Sequence, residues 1–278
     1  MADDKNAEKK SPRTVRRATE PGRAVTGRPR ASAPRRSGPD RARRAQPQQP
    51  AGSERNQQAR GPVIPAAVEA KQLAPDVRAE LSTLDKSTAD TVARHLVAAG
   101  ELLDVDPEAA LAHAQAARGR SGRIAAIREA VGIAAYHCGD WAQALSEFRA
   151  ARRMGSKSAL LPLIADCERG VGRPERAVEL ARSPEAAQLT GDDADEMRIV
   201  AAGARADLGH LDQALAVLSS PAPDPSRTGS TAARLFYAYA ETLLGLGRPA
   251  DAQKWFLHSA AADIDGVTDA EDRIDELS

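Results

Sequence analysis

The sequence predicts an all-α protein: a right-handed superhelical stack of helical hairpins behind a basic N-terminal arm. Three observations carry this. Apolar residues recur at helical spacing, and no stretch alternates cleanly between apolar and polar over a strand length. Ala is abundant and aromatic residues make up only 3% of the chain, which suits helices whose backbones approach closely. A short pattern of small residues and turn glycines returns at nearly constant intervals.

The arm comes first. Residues 1–60 hold 16 Lys+Arg and 6 Asp+Glu, while the rest hold 23 and 33. The net charge of +0 therefore divides into +10 and −10. Residues 1–62 are rich in Arg, Pro, Gly, Ser and Gln, with Arg35-Arg36 and Arg41-Ala-Arg-Arg44 among prolines. Such a segment has too little apolar surface to offset the entropy of ordering, so it is expected to be disordered. Its charge suits electrostatic attachment to nucleic acid, to the ribosome, to an acidic protein or to the acidic helical part of its own chain. No aromatics are interleaved for base stacking, so sequence-specific recognition is not expected.

Residues 63–86 are a short helical lead-in. A helix is expected over 76–84, with Val77, Leu81 and Leu84 on one face. Ser87 is then expected to cap a longer helix, with Asp90 three residues on resembling a capping box.

Residues 87–262 carry the repeat. Aligning the chain on one Ala near the start of every second helix brings Ala110, Ala144, Ala177, Ala214 and Ala252 into register, at spacings of 34, 33, 37 and 38 residues. Five residues earlier stands Gly139, Gly172, Gly209 or Gly247, where a first helix ends and a positive φ is needed. The first copy has Val105 there, followed by Asp106-Pro107, a cap and first-turn pair. Four residues after the Ala come Ala114, Phe148, Ala181, Leu218 and Phe256; twelve before it come Ala98, Gly132, Ala165, Ala202 and Ala240. Small residues at both places let the helices of a hairpin pack closely. Residues 263–278 are expected to form an acidic capping helix, with Thr268 and Glu271 as a capping box.

This pattern resembles the tetratricopeptide repeat family, over five hairpins. Ala144-x3-Phe148 and Ala252-x3-Phe256 match the core of that repeat. Several positions depart from it, and the third and fourth hairpins are degenerate. Arg128 and Arg198 stand where the family has Trp, and Glu168 and Arg205 where it has Tyr; the third and fourth hairpins also have long connectors, at 183–195 and 219–229. The runs Val92-Ala-Arg-His-Leu-Val97 and Arg128-Glu-Ala-Val-Gly-Ile-Ala-Ala-Tyr136 are similar to an uncharacterised actinobacterial family of such repeat proteins.

The resemblance implies a concave groove lined by the first helices, and a protein or peptide partner. Its usual inward positions fall on His95, Glu129, Ile133, Tyr136, Asp166, Arg169, Ile199, Arg234, Tyr237 and Glu241. A carboxylate clamp of the kind some members carry in the first hairpin is not expected, because His95 and Ala99 occupy those places.

Little else in the sequence points to chemistry. No phosphate-binding glycine loop or nucleophile elbow occurs, and the five histidines are scattered without metal-ligand spacing. Residues 117–123 form a basic, Gly-containing stretch expected to be a turn that could hold an anion. Asp263-Ile-Asp265-Gly266 lacks the ligand order of a calcium loop. Two cysteines, Cys138 and Cys167, suit a reducing compartment, and no apolar run reaches the ~18 residues that cross a bilayer. The expectation is a non-catalytic, cytoplasmic interaction protein without cofactor or metal.

Overall fold

A computed structural model describes residues 61–278, so the expected disorder and charge-driven contacts of residues 1–60 lie outside the described residues. Within 61–278 the secondary structure is helical. A lead-in of one 3-10 turn (Ala70–Gln72) and α1 (Pro75–Leu81) precedes five hairpins. These are α2 (Lys86–Leu102) with α3 (Pro107–Arg120), α4 (Ala125–His137) with α5 (Trp141–Arg153), and α6 (Leu161–Gly170) with α7 (Pro174–Ala181). They continue as α8 (Gly191–Asp207) with α9 (Leu211–Leu218) and α10 (Ser230–Gly245) with α11 (Pro249–Ala262); α12 (Ala270–Glu276) follows.

Main-chain chemistry at the turns explains why the pattern folds this way. Gly139, Gly172, Gly209 and Gly247 take φ of 72°, 76°, 76° and 73°. In each turn the residue after the glycine donates its N–H to a carbonyl five residues back. The four bonds are Asp140 to Ala135 (2.9 Å), Arg173 to Glu168 (2.8 Å), His210 to Arg205 (2.8 Å) and Arg248 to Leu243 (3.0 Å). This is the closure that satisfies the last carbonyls of a helix and needs left-handed backbone. The second helix then starts at once. Asp106 and Asp140 cap α3 and α5 by accepting from Ala109 N and Gln143 N, both at 3.0 Å. The five register alanines have 0% exposure, since each lies where the two helices of its hairpin cross.

First helices also pack on one another across the stack: α2 on α4, α6 on α8 and α8 on α10. Helices α4 and α6 stand further apart, so the row of first helices opens between the second and third hairpins.

Where aromatics of the repeat are absent, charge fills the interior. Glu147, Glu168 and Asp195 are 4%, 1% and 6% exposed. Each is held by two arginines. Arg118 and Arg128 take Glu147, the latter at 2.9 Å. Arg149 bonds Glu168, while Arg173 Nε lies 2.9 Å from Oε2 of the same carboxylate. Arg198 (2.7 Å) and Arg227 take Asp195. A buried carboxylate persists only when paired in this way.

Several local expectations are corrected. The lead-in helix ends at Leu81 rather than 84, where the Ser82 hydroxyl donates to Ala79 O (2.6 Å). Asp85, not Ser87, caps α2, since its carboxylate in extended backbone accepts from Thr88 N at 3.0 Å. Gly119 belongs to the last turn of α3, and Arg118 is committed to Glu147, so 117–123 is not the single turn expected. The connector expected over 183–195 ends early, because Gly191 already opens α8. Thr268 does not cap α12; its N–H and hydroxyl both bind Asp263, each at 2.7 Å.

Candidate functional site

The opening between the second and third hairpins leaves a hollow of about 370 Å³ on the side of the first helices. Four of them contribute: Ile133, Tyr136 and His137 from α4, Pro162, Leu163 and Asp166 from α6, Asp193, Glu196 and Val200 from α8, and Arg234 from α10. Ala159, just before α6, completes the wall.

Tyr136 spans the gap. Its ring stands edge-on to Trp141 with centroids 4.9 Å apart, and its hydroxyl donates to Asp166. Burial first, then the Asp166 charge and its hydrogen bond, push the phenol well above its ordinary pKa, so it stays a neutral donor. Asp166 also accepts from Arg169 Nη1 at 2.8 Å, and Arg169 Nε reaches Asp207 at 2.8 Å. Arg234 pairs with Glu196 across from α10 to α8. Asp193, in the first turn of α8, is exposed and has no cation within 4.0 Å among the described residues.

The expected groove residues divide. Ile133, Tyr136, Asp166 and Arg234 line this hollow, and Arg169 adjoins it through Asp166. Glu129 lies instead in a second hollow of about 720 Å³ between α1, α4 and the turn after α5, where Ser158 donates to it at 2.7 Å.

His95 does not reach the groove. It is 3% exposed, and its Nδ1 stands 3.1 Å from Nδ1 of His113 on α3. The Ala-rich face of α3 leaves room for the imidazole inside the hairpin. Burial, then the charges of His113, Arg120 and Arg94, push His95 down to about 4. Ile199 also turns inward, against Ala202, Ala214, Leu218 and Leu235.

Tyr237 and Glu241 lie under α12. Tyr237 packs edge-on to Phe256 (5.3 Å), and burial, then a hydrogen bond with Asp269, push its phenol up. Glu241 accepts from Arg273 at 2.9 Å.

Seven lining residues escaped the residue-by-residue expectation: His137, Ala159, Pro162, Leu163, Asp193, Glu196 and Val200. Glu196 and Ala159 stand at the same register as Arg234, eighteen residues before the repeat Ala, so that register was a usable signal. Leu163 and Val200 likewise share a register, fourteen residues before the repeat Ala, while Asp193 had no such signal, since residues 183–195 resembled a connector.

Among the described residues no helix is long and apolar enough to cross a membrane, and no group of three or more metal-ligating side chains is assembled.

The fold is a tetratricopeptide-like stack of helical hairpins. No family model and no curated sequence matches the chain. Among solved structures, that of YrrB, a TPR protein with an unusual peptide-binding site, is similar over 68% of this chain and 95% of its own, at 19% identity and a TM-score of 0.42.

Proposed function

We propose that this chain is a non-catalytic scaffold of the cytoplasm that takes a peptide segment of a partner protein in the hollow between α4, α6, α8 and α10. One observation carries this reading. Four successive first helices converge on one cleft that joins apolar wall, from Ile133, Leu163 and Val200, to hydrogen-bonding groups on its rim. That mixture suits a side chain entering with its backbone still partly wet.

The test is selection of peptides from a random library on the full chain, with Ala159→Trp alongside to fill the cleft. Peptides retained by the natural chain and lost by Ala159→Trp, at unchanged helical circular dichroism, support the reading. Equal recovery by both proteins excludes the cleft.

The +10 balance of residues 1–60 supports a second reading, in which the arm attaches the protein to nucleic acid or the ribosome. Counterion release makes such binding fall steeply with salt. RNA retention at low salt that survives deletion of residues 1–60 would rule it out.

A further inference from the structure

We propose that the occupant of this cleft is cationic: a peptide segment carrying an arginine or lysine beside a bulky apolar side chain. The inference rests on the cleft reading above and adds the chemistry of the partner.

The charges at the cleft do not balance. Asp166, Asp193, Glu196 and Asp207 supply four carboxylates, while Arg169 and Arg234 supply two guanidinium groups. Both guanidinium groups are already committed, Arg169 to Asp166 and Asp207, and Arg234 to Glu196. An anionic ligand would have to strip Arg234 from Glu196 and then face Asp193. A cation meets the opposite situation, because Asp193 is free of cations among the described residues and Glu196 keeps a second oxygen. Both residues stand on one face of α8, three positions apart, so one side chain can reach the two together.

The wall asks for the rest. Ile133, Leu163 and Val200 offer apolar surface beside the carboxylates. An arginine or lysine lays its methylenes on such surface while its head stays at the polar rim, and an adjacent large apolar residue fills the remaining depth. The surrounding unit has the same sign, with 23 Lys+Arg against 33 Asp+Glu after residue 60, which draws in cationic segments before contact.

The probe is a blocked, fluorescent seven-residue peptide holding leucine between two arginines and flanked by glycine and serine. Its counterpart has glutamate in place of each arginine. Both are titrated into the full chain by fluorescence anisotropy, then into Asp193→Asn/Glu196→Gln and into Ala159→Trp. The arginine peptide binds at least about tenfold tighter than its counterpart, a difference of about 1.4 kcal/mol. The double variant loses about that factor, and added salt weakens the complex.

Three results overturn the proposal: equal or tighter binding of the glutamate peptide, unchanged affinity in the double variant, or no binding of the arginine peptide to the full chain. If both peptides bind alike and both are lost in Ala159→Trp, the charge inference falls while the cleft stands. If Ala159→Trp retains the arginine peptide in full, the cleft itself falls.

Discussion

The fourth and fifth hairpins solve one packing problem with opposite chemistry. At the same register, sixteen residues before the repeat Ala, the fifth has Phe236 and the fourth has Arg198. Phe236 is 0% exposed and lies against Trp255 at 5.5 Å, and Tyr239 also packs on the indole at 4.7 Å. Arg198 reaches the end of α9 instead. It donates to Leu218 O and Pro221 O, both at 2.5 Å, and pairs with Asp195, which Arg227 holds from the far side. Both arrangements tie the first helix to the end of the second. One does so by dispersion and apolar burial, the other by charge-assisted hydrogen bonds to carbonyls that a helix end leaves unpaired. The short α9 is only eight residues long and ends at Leu218, so its last carbonyls lie within reach of Arg198 and become the anchor.

The comparison predicts unequal responses to substitution. Phe236→Ala carries the largest effect, roughly 3–5 kcal/mol, because it opens a cavity that Trp255 cannot fill. Urea unfolding together with hydrogen exchange of α10 and α11 measures it; a loss under about 1 kcal/mol would break the assignment of Phe236 as the anchor. Asp195→Ala ranks next, at roughly 2–3 kcal/mol, since Arg198 and Arg227 lose their shared carboxylate. Arg227 reaches solvent and keeps Asp192 at 2.8 Å, which lessens the cost. Exchange should quicken in α8 and α9 while α11 is spared. Spread of the effect to α11 would show that the two hairpins are one cooperative unit rather than two neighbouring ones.

The first hairpin sharpens the contrast through pH. His95 and His113 face one another inside it, with Arg94 and Arg120 nearby. The folded pKa of His95, about 4, lies below the ordinary 6.5, so the unfolded chain takes up the proton first. Stability is therefore fully present above pH 6.5 and falls as pH drops from 6.5 toward 4. The slope approaches about 1.4 kcal/mol per pH unit for each proton in excess. Exchange of α2 and α3 amides at pH 7 and pH 5 checks this, and His95→Gln should flatten the difference. The smallest effect expected is that of Tyr136→Phe, about 1 kcal/mol, from loss of the hydroxyl bond to Asp166. A melt unchanged to within about 0.3 kcal/mol would mean that water replaces that bond.

Much of the framework was legible because it rests on residues with few substitutes. A left-handed turn calls for glycine, and a close helix crossing calls for alanine, so both leave a periodic trace. The charged interior left none. Arg118 and Arg128 meet Glu147 from 29 and 19 residues away, and Arg227 meets Asp195 from 32, separations with no local period. The cleft was legible in part for a related reason. Register placed Tyr136, Asp166 and Arg234 on the inner side, but it could not foresee that α4 and α6 part. Nor could it foresee that α12 would cover Tyr237 and Glu241, or that His95 would turn inward to a second histidine.

Four turns are closed by bonds from a main-chain amide to a main-chain carbonyl, so the closing bond itself asks nothing of the side chains. The path of the chain at those points is thus insured against change in its neighbours. Mutation can exchange a ring for a guanidinium between one hairpin and the next, as at Phe236 and Arg198, and the corner still forms. Lineages of such a chain are free to lose resemblance in sequence long before they lose their shape.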